Sequence, residues 1–326
     1  MPRLLTRDDV ARLLDMADCM DVVERAFGEL AAGTAELPLR IGIEPPGGLA
    51  LYMPAYLKEL GALACKVVTV YKGNPTKHGI PTTIGAVIVQ DPETGEVVCM
   101  MDGGYLTAMR TGAVSGVATK YLAREADGQV AGIFGAGEQA RMQLRAVAAV
   151  RSLGGARVYD PSADAVASFI EELSGDLDLE IDRAASPAQL IDGADILCAA
   201  TTSMSPLFDG SAVRPGTHIN GVGNHMPTTQ ELDTETIVRS KVVVDLREAC
   251  LSEAGDLRVP IGEGAIAADH IHADLGEIVL GRKPGRTSDA EITLFKSVGL
   301  AIQDAAAAKL VYDRAVEAGV GTDVTL

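Results

Sequence analysis

The sequence predicts an α/β protein in which a doubly wound, Rossmann-type domain is inserted into an α+β domain. Three observations carry this. The run Ile133-Phe134-Gly135-Ala136-Gly137-Glu138-Gln139-Ala140 joins a short apolar strand, Gln129 to Phe134, to a helical pattern, Gln139 to Val150. A second strand, Ala156 to Tyr159, then ends on Asp160, which completes the strand–glycine turn–helix–strand–acid order of a dinucleotide-binding unit. From Gln129 onward strands and helices alternate, whereas the first hundred residues are mostly antiparallel strand.

Element by element, Thr6 caps a helix from Arg7 to Leu14, and Asp18 caps a second from Cys19 to Ala32. Strand patterns cover Leu39 to Ile43, Leu49 to Pro54 and Ala62 to Val70, and Pro75 to Pro81 is a loop. Thr83 to Gln90 and Glu96 to Met101 form a hairpin around Asp91-Pro92-Glu93-Thr94-Gly95. Leu106 to Ala123 is a helix of small residues. Further parallel strands fall at Asp178 to Ile181, Ile196 to Ala200, Thr217 to Gly221 and Lys241 to Val244. After about Arg286 the chain is expected to leave the sheet and to end in a long alanine-rich helix, Ile292 to Ala318. The expected division is 1–120 plus 287–326 for substrate binding and dimerisation, and 121–286 for the nucleotide.

The 326 residues suffice for two cores, and 47% hydrophobic with 22% charged residues is ordinary for a globular protein. A net charge of −17 argues against nucleic acid, whose phosphates demand a basic surface. The acid excess suits either an ordinary acidic surface or adaptation to high salt. No apolar stretch is long enough for a membrane span and no leader pattern opens the chain, so a cytoplasmic protein is expected. Five scattered cysteines without a CxxC fit buried reduced thiols.

In the glycine turn, Gly135 permits tight turning and Gly137 lets backbone amides approach a pyrophosphate. Ala136, Glu138 and Gln139 complete the turn, and the helix that follows presents unpaired N–H groups to the phosphates. Asp160, 25 positions after Gly135, can accept both ribose hydroxyls and repel a 2′-phosphate. Pro161, Ser162 and Ala163 follow it with no arginine, which favours NAD over NADP. The other reading of Asp160 is a cap for the helix beginning near Ala163, and both roles can coexist.

Arg40, Lys66 and Arg110 each interrupt an apolar or small-residue segment. A cation inside a strand is costly to bury unless an anion meets it. Together the three can clamp a substrate carboxylate; singly, each can be an ion-pair partner or a snorkelling surface residue. His270 and His272 invite a metal reading, but no cysteine or glutamate completes a ligand set, so a polar helix start and no metal are expected. His78 borders a loop, and Ser115 is a packing residue without a nucleophile motif.

The segment Gly61-Ala62-Leu63-Ala64-Cys65-Lys66-Val67-Val68, the block Leu106-Thr107-Ala108-Met109-Arg110-Thr111-Gly112-Ala113, the turn Gly135 to Ala140 and Leu294-Phe295-Lys296-Ser297-Val298-Gly299 resemble the ornithine cyclodeaminase/mu-crystallin family over nearly the whole chain. The resemblance implies an NAD(P)-dependent enzyme of amino-acid or imino-acid chemistry, usually a homodimer, with alanine dehydrogenase and ketimine or pyrroline-carboxylate reductases among its members. It implies that Arg40, Lys66 and Arg110 hold the substrate carboxylate. Thr111 and Gly112 would lie beside the cofactor phosphates, with Thr83, the loop Thr201-Thr202-Ser203 and the Val222-Gly223 turn also on the cofactor.

Two departures bear on the substrate. Ornithine cyclodeaminase has a glutamate before its Leu-Met-Pro segment, where this chain has Leu51, and an aspartate two residues before a proline, where this chain has His225. Both acids suited to a diamino substrate are missing, which counts against ornithine cyclisation. His225 is either a proton donor or acceptor near the nicotinamide, a partner for a second carboxylate, or a loop residue with Asn224 shaping its turn. The expectation is an NAD-linked oxidoreductase interconverting a small L-amino acid and its imine or 2-oxo acid, with Lys66 and His225 as catalytic groups. The rivals are ammonia-releasing cyclisation and a crystallin-like cofactor-binding protein without turnover.

Overall fold

A computed structural model describes residues 1–325. Two compact units divide the chain: Met1–Arg110 with the segment from Leu300 onward, and Thr111–Gly299.

In the first unit the strands are β1 (Arg3–Leu5), β2 (Ala35–Glu36), β3 (Ile41–Ile43), β4 (Leu49–Leu57), β5 (Ala62–Val70), β6 (Thr83–Gln90) and β7 (Val97–Asp102). The second unit contributes β8 (Gln129–Phe134), β9 (Leu153–Tyr159), β10 (Ile181–Arg183), β11 (Ile196–Ala199), β12 (His218–Gly221), β13 (Ser240–Val244), β14 (Ile271–Asp274) and β15 (Ile292–Lys296), and β16 (Thr322–Asp323) returns to the first.

The first sheet runs β16-β1-β7-β6-β5-β4-β2, with β3 also on β4. Its central ladder β4-β5-β6-β7 is antiparallel. Period-2 alternation puts Leu51, Met53, Ala55 and Leu57 of β4 and Ala62, Ala64, Lys66 and Val68 of β5 on the buried face. The helix Ala301–Ala318 packs on β4, β5 and β6 and against the helix Met16–Ala32. Its alanines let it approach the sheet closely, so Ala301 to Ala308 are all buried.

The second sheet is wholly parallel, in the order β10-β9-β8-β11-β12-β15-β13-β14. The strand order reverses beside β8, where ligands of doubly wound sheets bind at the carboxyl ends of the strands. Strands buried on both faces lose the polar–apolar alternation, and β11, β12 and β15 are buried at every position.

That loss explains one correction. Ile292 to Lys296 is not helical but forms β15, between β12 and β13, and the helix begins only at Ala301, after Gly299 at φ 84°. The second unit runs from Thr111, within the helix Gly103–Leu122, to Gly299, where 121 and 286 were the expected bounds. Smaller shifts have local causes. Asp15, not Asp18, caps the helix Met16–Ala32, accepting from the Asp18 amide at 2.9 Å. Asp178 ends a helix in the left-handed region at φ 48°, which delays the next strand to Ile181. The loop before Pro81 contains a short helix, Asn74–His78. No helix among the described residues is long and apolar enough to cross a membrane.

Candidate active site

Lys66 sits at the centre of β5, opposite Met53 on β4 and Val87 on β6, and is 2% exposed. An ammonium there is tenable only with an anion. Asp304 supplies it: Lys66 Nζ lies 2.9 Å from Oδ1 and 2.8 Å from Oδ2. Arg110 Nε donates to the same Oδ1 at 3.0 Å, and Arg110 also donates through Nη1 to Gln303 Oε1. Asp304 lies in the first turn of the helix Ala301–Ala318, where the unpaired amides favour a carboxylate. One buried carboxylate thus faces two cations, and a positive charge is left for a ligand anion.

The electrostatics follow. Burial pushes the Lys66 ammonium down to about 8; Arg110 pushes the same way, Asp304 opposes it, and the Arg40 charge adds a smaller push. Arg40 is therefore close enough for its charge to be felt at Lys66, although it is itself only half-buried. The structure brings Lys66 and Arg110 together directly and Arg40 into their field. Asp304 and Gln303 are absent from the sequence reading. Their signal was available: a polar pair within Ala301-Ile302-Gln303-Asp304-Ala305-Ala306-Ala307-Ala308 is as anomalous as Lys66 within β5.

In the second unit the glycine turn takes its expected form. Gly135 has φ 95°, and a Cβ there would lie 2.7 Å from the Ala200 carbonyl, so both conformation and space require glycine. Gly137 is the N-cap of the helix Glu138–Val150 without a side-chain cap, and nothing lies within 4 Å of where its Cβ would be. Open space above an uncapped helix start fits a phosphate group. Asp160 Oδ2 accepts from the Ala136 amide at 3.1 Å and Oδ1 from the Ser162 amide at 2.8 Å, which holds the carboxylate against the turn. The cap of the next helix is Ser162, whose hydroxyl accepts from the Ala165 amide at 3.2 Å, so the capping alternative for Asp160 passes to its neighbour. These residues fit a nicotinamide dinucleotide.

Thr201 and Thr202 follow β11, and Val222 and Gly223 follow β12, at the carboxyl ends of adjacent strands. Gly112 packs on Met142, and the Thr111 carbonyl accepts from Gln143 Nε2 at 3.1 Å, so both serve helix packing in the second unit. Thr83 is exposed at the start of β6 in the first unit. Asn224 shapes the loop after β12: its Oδ1 accepts from the Met226 amide at 2.8 Å and from Thr229 Oγ1 at 3.0 Å, leaving His225 exposed on that loop.

The block ending in Gly299 also gains a physical reason. Lys296 is fully buried and pairs with Asp256 at 2.6 Å. Asp245 Oδ2 accepts from Ser297 Oγ at 2.8 Å, the Val298 amide at 2.8 Å and the Gly299 amide at 2.9 Å. His270 and His272 reach the carbonyls of Ile237 and Pro284, both at 2.9 Å, and His272 lies on β14 rather than at a helix start. Among the described residues no group of three or more His, Cys, Asp or Glu is placed to hold a metal. Ser115 is buried and donates to the Thr111 carbonyl, as a packing residue does.

Residues 1–319 match the model of the ornithine cyclodeaminase/mu-crystallin family. The chain is 39% identical to an alanine dehydrogenase of Archaeoglobus fulgidus, over 98% of this chain and 97% of that one. It is also similar to a solved Δ1-pyrroline-2-carboxylate reductase of Thermococcus litoralis in complex with NADH and L-proline: 50% identity, TM-score 0.96, covering 99% of this chain and 100% of that one. An archaeal alanine dehydrogenase dimer with bound NAD superposes with a TM-score of 0.93 at 37% identity, covering 99% of each chain. With the buried cation cluster and the glycine turn both in place, this chain belongs to the ornithine cyclodeaminase/mu-crystallin family.

Proposed function

We propose that this chain is an NAD-dependent oxidoreductase interconverting a small L-amino acid and its imine, and that its reductive substrate is a cyclic imino acid of the Δ1-pyrroline-2-carboxylate class. The observation that carries this is the buried Lys66–Asp304–Arg110 cluster, which holds more positive than negative charge on an otherwise apolar sheet face. A substrate carboxylate completes the balance through the Arg110 fork, with Arg40 and the Lys66 ammonium beside it. Bound NADH supplies the hydride, to the imine carbon. The chain's own residues orient that carbon and deliver the proton that the imine nitrogen needs. Lys66, at about 8, can release a proton near neutrality. His225 is the second candidate for that step, from its exposed loop.

The ring preference rests on what surrounds Lys66. Leu51 and Val68 lie on its face of the sheet, 8% and 6% exposed, and offer apolar surface to a hydrocarbon ring. Leu51 offers no charge to a second ammonium group, which weighs against the cyclodeaminase rival. The relative solved with L-proline and NADH supports the same choice. NAD is preferred over NADP because Asp160 sits against the phosphate turn, where a 2′-phosphate would meet its charge.

The test is NADH oxidation with Δ1-pyrroline-2-carboxylate, its six-membered homologue, and pyruvate with ammonia, each repeated with NADPH. Fastest turnover with a cyclic imine and NADH is expected. Turnover confined to pyruvate with ammonia would make the chain an open-chain dehydrogenase. Ammonia release from ornithine without net NADH change would sink the reading.

We also propose a homodimer built on the outer face of the first sheet. Tyr52, Leu63, Cys65, Val67, Ile84 and Ile88 alternate with the buried residues and remain partly or wholly exposed, where an antiparallel sheet facing water would carry polar groups. The dimeric archaeal relative supports a second copy as the occupant. Ile88→Glu is expected to yield a monomer by sedimentation; an unchanged dimer would place the interface elsewhere.

A further inference from the structure

The loops after β11 and β12 share one buried carboxylate that no cofactor or substrate role explains. Glu231 is fully buried. Its Oε1 accepts from the Thr201 amide and the Thr201 hydroxyl, both at 2.7 Å, and its Oε2 accepts from the Gly223 amide at 3.1 Å. The fit is tight on the Gly223 side, where an added Cβ would lie 2.5 Å from a Glu231 oxygen. Thr201 in turn packs on the glycine turn, its Cγ2 lying 3.4 Å from where a Gly135 Cβ would be. A single side chain therefore sets the relation among the glycine turn, the loop after β11 and the loop after β12.

The carboxylate is itself held in place. Asp256 Oδ1 accepts from the Glu231 amide at 2.7 Å and the Leu232 amide at 3.0 Å. Lys296 balances the pair, bonded to Asp256 and donating to the Asn224 carbonyl at 2.7 Å. A buried carboxylate with three donors aimed at it is rigid, and moving it would strand backbone amides away from water.

We infer that Glu231 is a positioning residue for the dinucleotide: it fixes the two strand-end loops, through Thr201 and Gly223, in the arrangement that receives the cofactor. This rests on the reading of the second unit as the NADH site. It differs from a merely structural role in predicting a selective loss. Glu231→Gln keeps size and shape, yet whichever way the amide is turned, its N–H₂ confronts the amide of either Thr201 or Gly223. One loop must give way while the sheet and the Lys66 cluster keep every contact.

The experiment measures NADH affinity by fluorescence titration, together with the KM of NADH and of the imine, for wild type, Glu231→Gln and Glu231→Asp. The Gln variant is expected to bind NADH about tenfold more weakly, as loss of a charge-assisted bond predicts, with the KM of the imine within about twofold. Glu231→Asp keeps the charge beside Lys296 but draws the oxygens back from Gly223, so an intermediate loss is expected. Unchanged NADH affinity in a folded variant overturns the inference. So does an equal rise in both KM values, or failure of both variants to fold, since either makes Glu231 a general structural residue. Absence of NADH binding by the wild type would instead overturn the functional reading on which this depends.

Discussion

Lys66→Ala is expected to lower kcat/KM for the imine by roughly 10³-fold, the combined effect of losing a buried donor to substrate and a proton source, with NADH affinity within about twofold of wild type. Removing Lys66 leaves Asp304 paired with Arg110 at 3.0 Å, so the buried charge stays balanced and the fold is retained. The loss should appear in both kcat and KM if the ammonium serves binding and proton delivery, as proposed. The wild-type pH profile provides an independent check. Lys66 stands at about 8 in the folded chain, so the protonated form prevails below that pH and is lost above it. The reductive rate is therefore expected to fall as pH rises through about 8. Wild-type kinetics in Lys66→Ala would remove Lys66 from the substrate site.

Asp304→Ala is expected to be the more damaging change to the protein itself. It leaves Lys66 and Arg110 buried side by side with no anion, a loss of about 3–5 kcal/mol for a broken buried pair. Denaturant unfolding monitored by circular dichroism reads that directly. Asp304→Asn separates stability from chemistry, since it keeps the shape and an acceptor while removing the charge. Without that charge the Lys66 ammonium is favoured less, so its pKa falls and the descending limb of the pH profile moves to lower pH. An unmoved limb would show that Asp304 does not set the Lys66 proton. Stability equal to wild type in the alanine variant would mean that water or a bound anion already compensates the two cations.

The proposed substrate and cofactor sites were unequally visible in the sequence. The nucleotide unit is local: glycine turn, helix start and Asp160 fall within about thirty residues, and backbone geometry dictates each of them. The buried cation cluster was visible as a contradiction, since Lys66 and Arg110 are charges in apolar segments. What resolved that contradiction, Asp304, lies 238 positions from Lys66, and no periodicity connects them. Glu231 was hidden for the same reason. It occupies an irregular segment, and its meaning depends on two loops that meet only when parallel strands are placed side by side.

The strand at Ile292 was hidden by its own pattern. A central parallel strand is apolar on both faces, so Ile292-Thr293-Leu294-Phe295 carries no alternation, and beside an alanine-rich helix it merges with the helical pattern. The sequence by itself determined what short-range sterics and side-chain chemistry decide: the glycine turn, the alternating strands and the cationic interruptions. Only the tertiary structure decided which buried charges meet, because a desolvated ion's partner is selected by proximity in space. It places Asp304 between Lys66 and Arg110, and sets Glu231 beneath the loops after β11 and β12.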